Sequence, residues 1–142
     1  MTAWLRAAGV VLLLLPRVAS SLEGVDSVRT FNATAFDQTS GELLFCEEHR
    51  DGYGRGRRIW SQITYRDPAG EVIAEKFLGF AGSATAPEMH LADRRDGYRE
   101  GVSVQDGSLV LFRSSDSSGG PPERRVLPLA ERTVVDLSLI HI

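Results

Sequence analysis

Apolar and polar residues alternate along most of this chain after Val25, whereas helical periodicity is scarce. Phe31 and Ala33 alternate with polar neighbours, and Ile63 and Tyr65 flank Thr64. A period of two is typical of strands that place one face on a core and the other in water. About seven or eight such segments, spaced roughly 8–12 residues apart, leave no room for crossover helices. We therefore predict a mainly β fold, a single antiparallel meander that forms a curved sheet or a partly open barrel.

Turn residues separate the alternating segments. The run 67–70, Asp-Pro-Ala-Gly, has proline and glycine where a type I turn favours them, and it is predicted to join strands 57–66 and 71–80. Asp106-Gly107 is a two-residue hairpin signal. The sequence thus predicts hairpins at both places, which fits a meander.

Glycines also punctuate the segment before Arg57. Those at positions 52, 54 and 56 predict a loop there. The tripeptide Asp51-Gly52-Tyr53 recurs as Asp96-Gly97-Tyr98, which is either the remnant of a duplication or two ordinary turns followed by an aromatic residue. Asp-Gly turns are common in β proteins, so we favour the second interpretation.

The first 20 residues have the pattern of a secretory signal peptide. Arg6 supplies a positive charge, residues 7–15 form an apolar run, and Val18-Ala19-Ser20 offers small residues for cleavage. A membrane-spanning helix needs roughly 20 apolar residues, about twice the length of this run, so we expect no stable membrane anchor. The mature chain is predicted to be periplasmic or secreted, with a β domain over residues 21–136.

The last six residues, 137–142, differ in character from the polar segment before them. One DNA reading of Leu-Ser-Leu-Ile-His-Ile is CTG TCT CTT ATA CAC ATC, which resembles a transposase adapter used in short-read library preparation. The alternative is a genuine short terminal strand. We favour the adapter, which predicts that the tail is non-native, that the β domain is truncated after Asp136, and that His141 has no functional role.

The charge of the chain argues against polyanionic partners. Its net charge is −3, and removal of residues 1–20 takes away Arg6 and Arg17 but no acid, which leaves −5. A mildly acidic chain is not suited to coat a nucleic-acid backbone or an anionic bilayer. We therefore predict no nucleic-acid binding. Since Cys46 is the only cysteine, the fold is expected to rest on apolar burial without an internal disulfide.

Catalytic and metal-binding patterns are nearly absent. The densest cluster of reactive side chains is the run 46–49, Cys-Glu-Glu-His. On a strand Cys46 and His49 point to opposite faces, so they cannot pair as nucleophile and base. No His-x-His, His-Glu-x-x-His or Cys-x-x-Cys spacing occurs. We predict a non-enzymatic protein with no catalytic residues, no metal site and no cofactor.

Two groups of basic and aromatic residues are the candidate polar binding sites. The first group comprises Arg55, Arg57 and Arg58 with the interleaved aromatic residues Tyr53 and Trp60. The second lies at the other Asp-Gly pair and comprises Arg94, Arg95, Tyr98 and Arg99. Guanidinium groups beside aromatic rings bind anionic groups or an acidic partner. The alternative is that these arginines solubilise the surface and discourage strand pairing at hairpin edges.

Large apolar side chains form a second kind of candidate site. We expect one concave face of the sheet to be lined by Phe31, Phe36, Leu43, Phe45, Trp60, Ile63, Phe77, Leu78, Phe80, Leu109, Leu111 and Phe112. Curved sheets and barrels hold small apolar ligands in such a face. The alternative is a plain filled core.

Several turn and strand motifs resemble a known group of proteins. They are the run 64–76 (TYRDPAGEVIAEK), Ala86-Pro87, and the run 93–101 (DRRDGYREG). Over most of residues 25–136 the chain resembles a group of uncharacterised exported proteins of Gram-negative bacteria. The resemblance implies export and a native continuation beyond residue 136. It implies no activity, because none is known for that group.

Together these features favour an exported, non-enzymatic binding or carrier module. It would take an apolar small molecule on its concave face, or an acidic partner on its arginine-bearing hairpins. The alternative is a structural or protein-interaction module of the cell envelope, which engages an envelope protein through hairpins or an edge strand. A filled interior together with a contiguous exposed apolar patch would favour this alternative.

Overall fold

The structure is a computed structural model that describes residues 24–115 and 120–130. Within these ranges the protein is all-β, and eight antiparallel strands form one sheet whose spatial order follows the chain. The strands are β1 (Ser27–Phe36), β2 (Leu43–Gly54), β3 (Arg57–Arg66), β4 (Val72–Gly79), β5 (Glu88–Asp93), β6 (Arg99–Gln105), β7 (Ser108–Ser114) and β8 (Glu123–Pro128). The sheet is not closed, and β1 and β8 are its edges. The predicted meander is confirmed, as an open sheet.

Both predictions for the chain ends lie outside the described residues. They are the signal peptide at 1–20 and the non-native tail at 137–142. Among the described residues, no helix is long and apolar enough to span a membrane.

The hairpin turns form where the turn residues predict them. The Gly70 N–H donates to the Asp67 carbonyl at 2.9 Å, and the Asp67 carboxylate accepts the N–H groups of Ala69 and Glu71. Asp106 and Gly107 have φ values of 48° and 71°, the left-handed pair that a type I′ turn needs. Local side-chain chemistry therefore determines these connections.

The glycine-rich segment before Arg57 is a strand and a tight turn, so the predicted loop is wrong. β2 continues through Gly52 and Gly54, and only Arg55 and Gly56 form the turn. Gly52 serves packing, because a Cβ at this position would lie 2.2 Å from the Trp60 ring.

The recurring tripeptide has two different structures. Asp51-Gly52-Tyr53 lies inside β2, whereas Asp96-Gly97-Tyr98 lies in the connection between β5 and β6. The two copies therefore have no common structural role, and the same three residues take the conformation that their surroundings favour.

The ladder register assigns side chains to two faces of the sheet, because partners in an antiparallel pair share a face. The core face carries the buried apolar cluster, and its apolar side chains of at most 8% exposure are Ile63, Tyr65, Ala74, Leu78, Leu91, Val102 and Leu109. The second face carries Trp60, Phe77 and Phe112. The expectation that all the large apolar residues line one face is wrong. Each of these three aromatic residues is adjacent in its strand to a core-face residue, so its side chain points to the other face.

Burial on the core face supplies the main apolar stabilisation of the sheet. Each fully buried aliphatic or aromatic side chain contributes about 1.5–3 kcal/mol relative to its exposed state. Tyr65 is 2% exposed, and burial raises the pKa of its phenol above the usual range, to which the charge of Glu47 adds. Lys76 is buried on the same face between the ladder partners Ile63 and Leu91, and it makes an electrostatic or hydrogen-bonding interaction. The centre of this face is filled.

Candidate binding surface

The three arginines of the first predicted group lie at one hairpin but on different sides of it. Arg55 forms the β2–β3 turn, and Arg57 and Arg58 begin β3. A register shift after Arg58 turns its side chain to the core face, whereas Arg57 and Trp60 share the second face. The hairpin therefore keeps the arginines at one end of the sheet and separates Arg58 from Trp60.

Arg58 has two contacts on the core face. Its Nη1 lies 3.6 Å from Asp51 Oδ2, and its guanidinium lies 4.4 Å from the centre of the Phe80 ring. Asp51 is 4% exposed, and its Oδ1 accepts a hydrogen bond from the Ser61 hydroxyl at 2.5 Å. A buried carboxylate needs such partners. Sequence reasoning missed the pair of Asp51 and Ser61, since only the β2–β3 ladder brings them together.

Tyr98 and Arg99 lie at the opposite end of the sheet, where β5 leads into β6. The Tyr98 hydroxyl donates to Glu100 Oε2 at 2.8 Å, and its ring packs against the buried cluster. Burial raises the pKa of Tyr98, and the hydrogen bond to Glu100 adds to this effect. Tyr98 thus contributes to packing, and the two predicted groups do not converge on one site.

Cys46 and His49 point to opposite faces of β2, as their spacing predicts. On the core face the His49 ring stacks on Phe31, with 4.3 Å between ring centres, and its Nε2 lies 2.6 Å from Glu47 Oε2. Cys46 lies on the second face as the ladder partner of Thr34. In the part of the chain that the structure describes, no group of three or more His, Cys, Asp and Glu residues is placed to hold a metal ion.

The edge strand β1 offers a surface of a different kind. Among the described strands it pairs only with β2, and nine of its ten residues are exposed. Its large apolar side chains Val28, Phe31 and Phe36 are 46%, 51% and 57% exposed. A strand edge of this type presents backbone N–H and C=O groups that another strand can pair with.

Arg29 gives this edge a positive charge next to the arginine hairpin. Its guanidinium lies 4.7 Å from the centre of the Tyr53 ring. Its ladder partner Asp51 is already engaged by Ser61 and Arg58. Within residues 24–115 and 120–130, no carboxylate forms an ion pair with Arg29. The charge of Arg29 is therefore available to a partner at the edge.

Comparison with known proteins gives no relative whose binding site could be compared with these residues. No family model, curated protein or solved structure matches this chain. The candidate surface accordingly rests on its geometry, and the resemblance to exported Gram-negative proteins stays a prediction.

Proposed function

We propose that this protein is a non-enzymatic binding module of the cell envelope that holds an extended segment of a partner protein along β1. The observation that carries the proposal is β1 itself, a ten-residue edge strand that is exposed at nine positions and pairs with β2 alone among the described strands. Strand addition to an exposed sheet edge is a recurrent mode of peptide recognition, in which backbone hydrogen bonds supply affinity and side chains supply specificity.

Burial favours this function over a carrier of apolar small molecules. The apolar side chains at the centre of the core face are covered within the chain, with Tyr65 at 2% and Leu78 at 8% exposure. Exposed large apolar residues lie mainly in the outer strands, as Phe31 does in β1 and Val126 does in β8. Those on β1 lie beside a strand edge with a single charged residue, where they can contact an added strand rather than a molecule enclosed by the sheet.

The two edges provide a matched pair of variants for the test. One row of ladder partners crosses all eight strands and consists of Thr30, Arg50, Gln62, Phe77, His90, Gly101, Phe112 and Arg124. Thr30→Arg therefore gives β1 the charged residue that β8 has in the same row, and Arg124→Thr removes it from β8. Neither residue is buried, so both variants should fold.

The experiment selects binders to the purified full chain from a display library of random peptides of roughly seven residues, about the length of a strand. Selected peptides should protect the backbone amides of β1 from hydrogen exchange. Thr30→Arg should weaken their binding about tenfold, a cost of about 1.4 kcal/mol. Arg124→Thr should leave their affinity unchanged. Protection of β8, protection of neither edge, or an equal effect of both variants would contradict the proposal.

A further inference from the structure

We infer that the segment held by β1 has apolar residues opposite Ala33 and Phe31 and an acidic residue opposite Arg29. Read from its N-terminus, its pattern is apolar-x-apolar-x-acidic. This inference rests on the proposed function and adds the sequence and the direction of the partner.

The three β1 residues act together because they share a face. Arg29, Phe31 and Ala33 occupy alternate positions and lie on the core face. A strand added beside β1 places every second side chain next to them. Every pair in this sheet is antiparallel, and antiparallel pairing is slightly more stable per residue than parallel pairing. In that direction the residue opposite Ala33 comes first, and the residue opposite Arg29 comes four positions later.

Charge complementarity determines the acidic position. The guanidinium of Arg29 contacts the Tyr53 ring, and its ladder partner Asp51 and the nearby edge residue Asp26 of the same chain segment both have other partners. Asp51 accepts from Ser61, and Asp26 Oδ2 accepts the backbone N–H of Arg55 at 2.6 Å. A carboxylate on the added strand would therefore form the ion pair that Arg29 lacks within the described ranges.

The side chains of Phe31 and Ala33 determine which positions of the added strand are apolar. Phe31 stacks one side of its ring on His49 and remains 51% exposed, which leaves apolar surface for a neighbouring strand. Ala33 projects only a methyl group, so a large apolar side chain opposite it has room beside Phe31. Glu47, the β2 partner of Ala33, is paired with His49. Its carboxylate is thus engaged by the His49 ring beside the place where the apolar side chain would lie.

The opposite edge supplies a control for the charge. Arg125 of β8 lies at the far end of the same row of ladder partners as Arg29, on the same face. It has the same side chain and belongs to an edge strand. A general attraction between an acidic peptide and the protein would involve both arginines, whereas strand addition at β1 involves Arg29.

The experiment measures three synthetic peptides against the full chain by fluorescence anisotropy. The first is Thr-Leu-Thr-Val-Thr-Glu-Thr with blocked ends, the second has Lys in place of Glu, and the third has the first sequence reversed. The Glu peptide should bind about fivefold more tightly than either of the others, as expected for one cross-strand ion pair. Arg29→Glu should reverse the preference so that the Lys peptide binds better, and Arg125→Glu should leave it unchanged. Arg29→Gln should abolish the preference, and an unchanged unfolding midpoint shows that it remains folded.

The outcomes separate this inference from the proposed function. Equal binding of the three peptides along β1 overturns the pattern and leaves strand addition at β1 intact. Failure of these peptides and of all library-selected peptides to protect β1 overturns both. Concentration-dependent self-association that protects β1 without any peptide identifies a second copy of the chain as the occupant, which also overturns the pattern. A preference that reverses with Arg29→Glu supports it.

Discussion

Rows of ladder partners cross the whole sheet from β1 to β8, and the two edge strands place different side chains at the two ends of the same row. Where β1 has Thr30 and Phe31, β8 has Arg124 and Glu123 in the same rows. β1 has ten residues, whereas β8 has six and ends at Pro128. Short length, charged side chains and proline are features that keep an edge from pairing with another strand. β8 has all three, and β1 has a single charged residue.

Exposure alone therefore does not distinguish a functional edge from a protected one. Both strands are exposed almost throughout. The two strands differ in the contacts of their side chains. At the two ends of one row, Phe31 of β1 stacks on His49, whereas Glu123 of β8 forms a 2.9 Å ion pair with Arg113. The aromatic contact leaves an apolar surface next to unpaired backbone, while the ion pair places hydrated charge there. The first arrangement favours strand addition, and the second opposes it.

The largest expected effect concerns the packing behind each edge. A Cβ at Gly101, on the β8 side, would lie 2.2 Å from the Phe112 ring and 2.7 Å from the Met89 carbonyl oxygen. At Gly52, on the β1 side, the three atoms nearest to an added Cβ would all belong to the side chain of Trp60. Because backbone moves less readily than a side chain, Gly101→Ala should lower the free energy of unfolding by about 3 kcal/mol and Gly52→Ala by about half as much. Urea denaturation measures both, and an equal loss would contradict the asymmetry.

A smaller change in unfolding free energy is expected when the side chain of Phe31 or of Glu123, at opposite ends of one row, is truncated to alanine. Phe31→Ala removes the stacking on His49 and should cost about 1 kcal/mol of unfolding free energy. Glu123→Ala breaks an ion pair whose side chains are both more than 60% exposed, so its cost should stay below about 0.5 kcal/mol.

Thermal or urea unfolding measures the stability of these two variants, and the peptide assay measures whether either substitution changes peptide affinity. Phe31→Ala should also weaken the binding of the Glu peptide, whereas Glu123→Ala should leave that binding unchanged. A larger loss of peptide affinity in Glu123→Ala than in Phe31→Ala would assign binding to β8 and reverse the comparison.

A second small effect is expected away from both edges, in the β5–β6 connection. Arg95 hydrogen-bonds the Asp93 carboxylate and holds the pKa of Asp93 below its usual value of 3.8. A depressed carboxyl pKa stabilises the fold above that value, and this stabilisation disappears as the pH falls through the folded-state pKa. Arg95→Gln should therefore cost roughly 0.5–1 kcal/mol at pH 7, with the exposed position of Arg95 limiting the effect.

The pH dependence of this variant provides its control. The difference in unfolding free energy between Arg95→Gln and the unsubstituted chain should narrow as the pH falls below the usual carboxyl pKa of 3.8, and it should vanish once the pH is also below the lowered folded-state pKa of Asp93. Since Arg95 belongs to neither edge, its substitution should leave peptide affinity unchanged. A loss of peptide binding in Arg95→Gln would show that the effects of edge variants are not specific to the edges.

Much of the fold follows from short stretches of the sequence, and the candidate site follows only in part. The turns at Asp67 and Asp106 are predictable because side-chain acceptors and left-handed φ angles act within a few residues. β5 is harder to recognise, because it has only six residues and a mixed composition. Asp51 and Ser61 are ten residues apart, and nothing in either segment indicates that they share a buried hydrogen bond.

The candidate arginines show the same division. Proximity in sequence keeps Arg55, Arg57 and Arg58 together at one turn, so their clustering could be read from the sequence. It does not predict that Arg58 turns away from Trp60, since this depends on a register shift in the β2–β3 ladder. Nor does it single out Arg29, whose importance comes from its position on an edge strand and from the engagement of Asp51 by other groups.

Alternation and turn chemistry are local properties of the chain, so short stretches of sequence suffice to predict a β meander. The tertiary structure was needed to show that Ile63, Tyr65, Ala74 and Leu91 form the core and that Phe31 stays exposed at an edge. It was also needed to show that β1 and β8 are the two edges and that, of these two, β8 combines short length, several charges and proline. Register and strand order join residues that are distant in the chain, and no short segment encodes which partners will lie beside it.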